Sequence, residues 1–482
     1  MMTFSRAITL LLTVMLTTAA VKSEEPNSAP NILLILVDDL RTELGCYGIE
    51  EVHTLNIDQF AETALLFERA YCQMAVCRSS RLSFLSGLRP DERRIWANED
   101  VRPSMQDIEF LPAHFRNHDY HTLGFGKIAH GGEEDPRCWS EPHQVPENRL
   151  YEYRTRAGRA LVKKVKHEAA EAGRPDPFRD LPEKIHRGMP WEILNFPGRD
   201  TGDEQLADMA LAALERVKEK QFFLAAGFLR PHLPFVAPRQ YWELYDEDNL
   251  PPPGLVSAPE GSPQLISNRS RELLRQYRGL PTSLPLDPET ERKLVHGYYA
   301  CVSFIDAQIG LLLKGLEENG LADNTIVIVT SDHGFQLGDH GMWGKATNFE
   351  LSTRVPLLIR VPGSKASGKR TASLVELVGL YPTLCEIAGL TKPKHLQGDS
   401  FASLFDDPGA LLTGAAFSQY SREGLQVTAF ERKISATRNG GTASRASSAI
   451  EHCLTTGRTH GRRKTSQRRK TTPSMLSDYP VC

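Results

Sequence analysis

The stretch "NILLILVDDL", residues 31–40, decides the fold. Ile32 to Val37 is an unbroken apolar run rich in branched side chains, which suits a strand buried on both faces. Two carboxylates, Asp38 and Asp39, follow at once at its carboxyl end. Three more runs of this kind occur: "QFFLAAGFLRPHLPF" (221–235), "NTIVIVTSDHG" (324–334) and "VPLLIRVPG" (355–363). The first of these ends near His232, and the second runs directly into Asp332 and His333. Between them lie segments such as "DEQLADMALAALERVKE" (203–219) and "VSFIDAQIGLLLKGLEENG" (302–320), with apolar residues at helical spacing. Strands alternating with helices predict an α/β fold, a large mostly parallel sheet sandwiched by helices. Ligands of such sheets bind at the carboxyl ends of the strands, where these polar residues gather.

The chain has 482 residues, enough for two domains or for one large core with a small satellite. A net charge of −3 argues neither for nucleic acid nor for a membrane surface as partner. "MMTFSRAITLLLTVMLTTAA", residues 1–20, reads as a secretory signal peptide, so the protein is expected to be secreted or periplasmic with no membrane span in its mature form. Cysteines 46, 72, 77, 138, 301, 385, 453 and 482 show no paired spacing of the zinc-binding kind. Residues 140–200 are charged and Pro-bearing, with a basic helical piece, "RTRAGRALVKKVKHEAAEAG". It reads either as a solvated helix on an insertion or as a basic lip for an anionic substrate. Residues 431–482 carry eleven Lys/Arg against three Asp/Glu and little apolar periodicity. This stretch is either a basic tail or a shifted reading frame that replaces the end of a folded domain.

Adjacent carboxylates after a buried strand are costly unless a cation lies between them. Asp38, Asp39 and Asp332 offer hard oxygen donors, which suit Ca²⁺ or Mg²⁺ better than a soft metal. His333 either joins them or contacts a bound anion. Arg81, Lys127, His130, His232 and Lys345 add cationic groups, and a metal with such a ring suits a tetrahedral anion such as sulfate or phosphate.

"NILLILVDDLRTELGCYG", "AVCRSSRLSFLSGLRP", "GFGKIAHGG", "PHLPF", "TSDHGFQLGDHGMWGKATNFE" and "TASLVELVGLYPTLCEIAGL" together resemble the type I sulfatases of the alkaline phosphatase superfamily. The likeness runs in order from about residue 30 to about residue 420 and is greatest to the iduronate-2-sulfatase branch. It implies a catalytic α/β domain over residues 30–392, with a small antiparallel α+β subdomain begun at 393–430. It also implies that Cys77 is oxidised to Cα-formylglycine by a formylglycine-generating enzyme. On that resemblance Asp38, Asp39, position 77, Asp332 and His333 hold one Ca²⁺, with Mg²⁺ the lesser choice. Arg81 and Lys127 then hold the nucleophile and its oxygens, while Lys345 grips the sulfate. His232 protonates the leaving oxygen, and His130 takes the proton that releases sulfate. The implied substrate is a sulfated sugar or polysaccharide, with a 2-O-sulfated uronic acid favoured. Two rivals stay open: a phosphonate or phosphate ester hydrolase, and a catalytically silent protein that binds sulfated glycans. The maturation signal of the family is Cys-x-Pro-x-Arg or Cys-x-Ala-x-Arg; here Ser79 stands at its third place.

Overall fold

Asn31–Val37 is a strand buried at every residue, as the opening run requires. The computed structural model describes residues 29–458 apart from 97–101, 132–133, 148–152, 172–187, 196–198, 254–256, 258–269, 282, 413, 423–424 and 433–452. The stretch read as a signal peptide and most of the basic stretch 431–482 lie outside the described residues.

The strands are β1 (Asn31–Val37), β2 (Leu65–Tyr71), β3 (His121–Gly126), β4 (Trp191–Leu194), β5 (Phe222–Phe228), β6 (Phe235–Pro238), β7 (Thr325–Ser331) and β8 (Gln336–Leu337). They continue with β9 (Trp343–Gly344), β10 (Arg354–Val355), β11 (Leu357–Arg360), β12 (Arg370–Glu376), β13 (Ala415–Arg422), β14 (Leu425–Arg432) and β15 (Cys453–Arg458). The helices are α1 (Leu55–Ala61), α2 (Cys77–Ser86), α3 (Leu111–Asn117), α4 (Arg156–Glu171) and α5 (Gly202–Val217). After them come α6 (Arg239–Trp242), α7 (Arg271–Gln276), α8 (Pro288–Glu318), α9 (Glu350–Thr353) and α10 (Leu380–Ile387).

Eight strands form one sheet in the order β10-β2-β11-β7-β1-β5-β3, with β12 paired to β2. β7, β1, β5 and β3 are mutually parallel neighbours. β11, the "VPLLIRVPG" strand, instead runs antiparallel to both β7 and β2, so the sheet is mixed rather than uniformly parallel. Alternation along β1 splits its side chains between two cores. Leu33, Ile35 and Val37 pack with Leu206, Leu214 and Leu312 of α5 and α8. Ile32, Leu34 and Leu36 pack on the other face with Leu82, Leu111 and Leu384 of α2, α3 and α10. Each such side chain contributes about 2 kcal/mol on leaving water.

α8 is long and apolar enough to cross a membrane, but most of its apolar stretch is buried inside this domain. α5 starts at a capping box in which Thr201 Oγ1 accepts from the Glu204 N–H, and Glu204 accepts from the Thr201 N–H. α4 confirms a helix in the insertion, with Arg156, Arg159, Lys163, Lys164 and His167 exposed. β13, β14 and β15 form a separate antiparallel sheet. β15 falls within the stretch whose composition reads as a tail or a shifted frame. This sheet docks beside the segment that leads into α2: Ser418 Oγ donates to Cys72 O at 2.6 Å, and Gln419 N to Gln73 O at 2.9 Å.

Candidate active site

Four neighbouring parallel strands deliver the polar residues in sheet order. β7 ends at Asp332 and His333, β1 at Asp38 and Asp39, β5 leads to His232, and β3 leads to Lys127 and His130. Successive residues of a strand point to opposite faces, so two adjacent carboxylates would ordinarily diverge. Asp39 breaks that alternation with φ 62, in the left-handed region. Such a backbone is unfavourable for a residue with a Cβ and is found at sites that need it. The Asp39 N–H is held by Asp332 Oδ1 at 3.2 Å. Gly126 makes the turn that aims Lys127. Its φ is 74, and a Cβ there would lie 2.4 Å from Gly227 O.

Cys77 is the first residue of α2, after Val76, whose backbone is extended and which supplies no side-chain cap. Every residue of α2 is buried although six of the ten are serine or arginine. Most of the polar groups find partners inside, the Ser79 hydroxyl excepted. Ser80 Oγ donates to Asp332 O at 2.5 Å, and Ser83 Oγ to Leu88 O at 2.6 Å. Arg81 Nε donates to Asp332 Oδ2 at 2.8 Å and Nη2 to Asp38 Oδ1 at 3.1 Å. Arg81 also donates to Lys127 O, while the Lys127 ammonium pairs with Asp38 Oδ2.

The structure brings together the site residues named from the sequence, His130 among them beside Lys127 and Arg81. Cys77 Sγ lies 3.2 Å from His333 Nε2, and that nitrogen is 3.5 Å from Asp39 Oδ1. Lys345 Nζ bonds both Asp39 oxygens, at 2.7 and 2.8 Å. His232 Nε2 is 3.9 Å from Asp39 Oδ2. His130 stands beside Lys127 and Arg81 with a buried Nδ1 that has no hydrogen-bond partner.

One group was missed: Glu272 of α7, whose carboxylate lies 3.3 Å from His232 Nε2 and 3.4 Å from Lys345 Nζ. Nothing in the sequence marks it, because it follows no strand and belongs to no quoted motif.

Electrostatics divide the carboxylates. Burial pushes Asp38 up, but Lys127 and Arg81 more than offset it and hold it well below the usual range. Burial raises Asp39 well above that range; Lys345 opposes the rise, and Asp38 adds to it. Burial, then Asp38, pushes the Cys77 thiol up. Burial, then Lys127, depresses His130 to about 3, so it is neutral at ordinary pH. Burial thus disfavours the charge of Asp39 first, and the neighbouring carboxylates add to that.

A divalent cation would oppose both effects. One ligand atom each from Asp38, Asp39, Cys77 and His333 lies within 4.8 Å of the others. The donor set fits one such ion, with carboxylate oxygens for a hard metal. Asp332 is not in that quartet: its Oδ2 serves Arg81, and its Oδ1 accepts the N–H of Asp39 and of His333.

The sulfatase family model matches residues 30–390 of the chain, the span that holds every one of these groups. The chain belongs to the sulfatase family. This sulfatase is thus a sulfuric ester hydrolase by family, and such enzymes generally use a divalent metal and a formylglycine. It is 34% identical to human iduronate 2-sulfatase over 420 residues, 79% of this chain and 72% of the human one. Its fold is similar to phosphonate monoester hydrolase of Agrobacterium radiobacter, with TM-score 0.63, 23% identity, and 83% and 86% of the two chains covered. It is also similar to BT4656, solved in complex with its substrate D-glucosamine-2-N,6-O-disulfate, with TM-score 0.62, 18% identity, and 85% and 90% covered.

Proposed function

We propose that this sulfatase is an exported enzyme that hydrolyses sulfate esters on sugars, acting on 2-O-sulfated uronic acid residues of sulfated glycans. The observation that carries the reading is Cys77 on the first turn of a polar, buried helix, with its sulfur 3.2 Å from His333 and grouped with Asp38 and Asp39. A merely structural thiol would not draw two carboxylates, a histidine and three permanent cations around itself. The likeness to human iduronate 2-sulfatase favours the uronate sugar.

Oxidation of Cys77 to formylglycine would supply a hydrated aldehyde as nucleophile, and one Ca²⁺ held by Asp38, Asp39, position 77 and His333 would supply charge neutralisation, with Asp332 engaged by Arg81 beside them. The chain's own side chains do the rest. Arg81, locked between Asp38 and Asp332, and Lys127 on Asp38 fix the floor and orient the reacting oxygens. Lys345 is an ammonium held charged: burial disfavours its charge, and Asp39 more than compensates. It holds a sulfuryl oxygen. His232 acts as the imidazolium, with both ring nitrogens protonated, and gives its Nε2 proton to the leaving sugar oxygen. His232 Nδ1 lies 2.6 Å from Leu233 O, which as acceptor fixes the proton on Nδ1 and the ring's orientation. Neutral His130, with its vacant Nδ1, accepts the proton that frees sulfate. The sulfated sugar and the formylglycine-generating enzyme are its partners, and it reaches them by export through the N-terminal leader.

Mass spectrometry of the peptide spanning residues 70–89, after co-expression with a formylglycine-generating enzyme, tests the nucleophile. Conversion at Cys77, with aryl sulfate hydrolysed faster than aryl phosphate, is the expected result. An intact thiol with retained glycan binding and no turnover would establish the silent binding protein instead. A faster phosphate reaction would establish the phosphate ester hydrolase.

A further inference from the structure

Glu272 puts a carboxylate beside His232 and Lys345, the two groups that face the substrate side of the site. Its place is fixed from the neighbouring element: Ser270 Oγ accepts from Trp343 N at 2.8 Å, which ties the start of α7 to β9, the strand just ahead of Lys345. The carboxylate then reaches His232 with one oxygen and Lys345 with the other. Side-chain exposure rises from 0% at Asp39 and 6% at His232 to 11% at Lys345 and 20% at Glu272. Glu272 therefore stands on the open side of the site, above a floor formed by Cys77 and Asp39.

That gradient sets the order in which a substrate meets the residues. The sulfuryl group belongs at the floor, the ester oxygen at His232 Nε2, and the sugar carbons beyond it. Glu272 Oε1, 3.3 Å from that nitrogen, lies where the substituent next to the ester oxygen must come. A carboxylate accepts hydrogen bonds and cannot donate them, and it has lone pairs to spare beyond two cationic partners. A hydroxyl there is bound by a charge-assisted hydrogen bond. A second sulfate or a carboxylate there meets like charge at close range.

We infer that Glu272 is a specificity-determining residue: it receives the free hydroxyl on the sugar carbon next to the sulfated one and excludes sugars with an anionic group at that carbon. The inference rests on the sulfatase reading and deepens it. A uronic acid sulfated at position 2 with a free 3-hydroxyl meets the requirement, whereas its 2,3-disulfated counterpart does not.

The test compares Glu272→Gln and Glu272→Leu with wild type on a 2-O-sulfated uronate disaccharide and on 4-nitrophenyl sulfate, which has no such hydroxyl. Both activities fall, because Glu272 also touches His232 and Lys345. The expected result is that kcat/KM for the sugar falls about 30-fold further than for the aryl ester. Equal falls would overturn the inference. Calorimetry in the Cys77→Ala background gives a second measure that needs no turnover. There the monosulfated disaccharide should bind more tightly than the vicinally disulfated one, and Glu272→Gln should narrow that preference by about tenfold. An unchanged preference would overturn it too. A wild type silent on both esters counts against the sulfatase reading, and the binding preference then still decides for or against Glu272.

Discussion

α8 runs for 31 residues and buries Leu294, Tyr298, Phe304, Ile309, Leu312 and Leu316 against the sheet. α2 runs for 10 residues, all buried, with Leu82, Phe84 and Leu85 as its large apolar side chains and three partnered serines and Arg81 among the rest. One helix is held by apolar area, the other by ion pairs and hydrogen bonds reached only in the folded chain. An apolar face tolerates error in small steps, whereas a buried charge network fails when one partner goes. Stability and chemistry are therefore separable in α8 and bound together at Arg81 of α2.

The largest expected effect is on chemistry alone. Cys77→Ala should lower turnover of an aryl sulfate by about 10⁴-fold or more, since it removes the proposed nucleophile precursor. The melting temperature should stay close to wild type, because the side chain lost is small; retained activity would end the assignment. Arg81→Ala should strike both properties. It leaves Asp38 and Asp332 without the guanidinium that bridges them, at a cost of about 4 kcal/mol in chemical denaturation. Turnover should be lost as well. If Arg81→Ala lost turnover at full stability, α2 would not be the electrostatic construction described above.

Leu312→Ala probes the other helix. It removes a fully buried side chain and should cost about 3 kcal/mol, with kcat of the folded fraction unchanged. A drop in kcat would mean that α8 is coupled to the site after all.

The two helices also differ in how their contribution could be read from the chain. The apolar period of residues 302–320 announced the C-terminal half of α8, and the continuous runs announced β1, β5 and β7. Asp38, Asp39, Asp332 and His333 were legible because they follow those runs immediately. The antiparallel course of β11 was not, since an apolar run carries no direction. Glu272 was not legible either: it reaches the site through the Ser270–Trp343 contact, which joins segments far apart in sequence. Likewise α2 reads as polar, and only its partners on β1 and β7 explain why it is buried.

Asp306 gives α8 one polar commitment that can be titrated. Its carboxylate accepts from Asn56 Nδ2 at 2.7 Å and from Ile57 N at 2.8 Å, at the start of α1. Burial raises it to about 6, against those hydrogen bonds. A folded value above the unfolded one means that the native state holds the proton more tightly. This contribution is full below about pH 4 and is lost as pH rises through 6, by about 3 kcal/mol at most. Asp306→Asn should flatten the stability profile between pH 4 and 6 in denaturant titrations. An unaltered slope there would assign the pH dependence to other groups.

The smallest effect belongs to Ser79. It is wholly buried, and its hydroxyl has no partner, so that oxygen contributes nothing to the network around it. Ser79 also precedes the first backbone bond of the helix, from Ser80 N to Val76 O. A first-turn N–H has no intrahelical acceptor, and proline is tolerated there for that reason. Ser79→Pro should therefore change stability by less than about 1 kcal/mol, with the ion pairs of Arg81 intact. It restores the maturation pattern that type I sulfatases carry, so the fraction of Cys77 converted, read on the 70–89 peptide, should rise. Unchanged conversion would mean that Ser79 already serves the maturation enzyme as well as proline does. A large loss of stability would show instead that α2 depends on the backbone of its first turn, and not only on the charges below it.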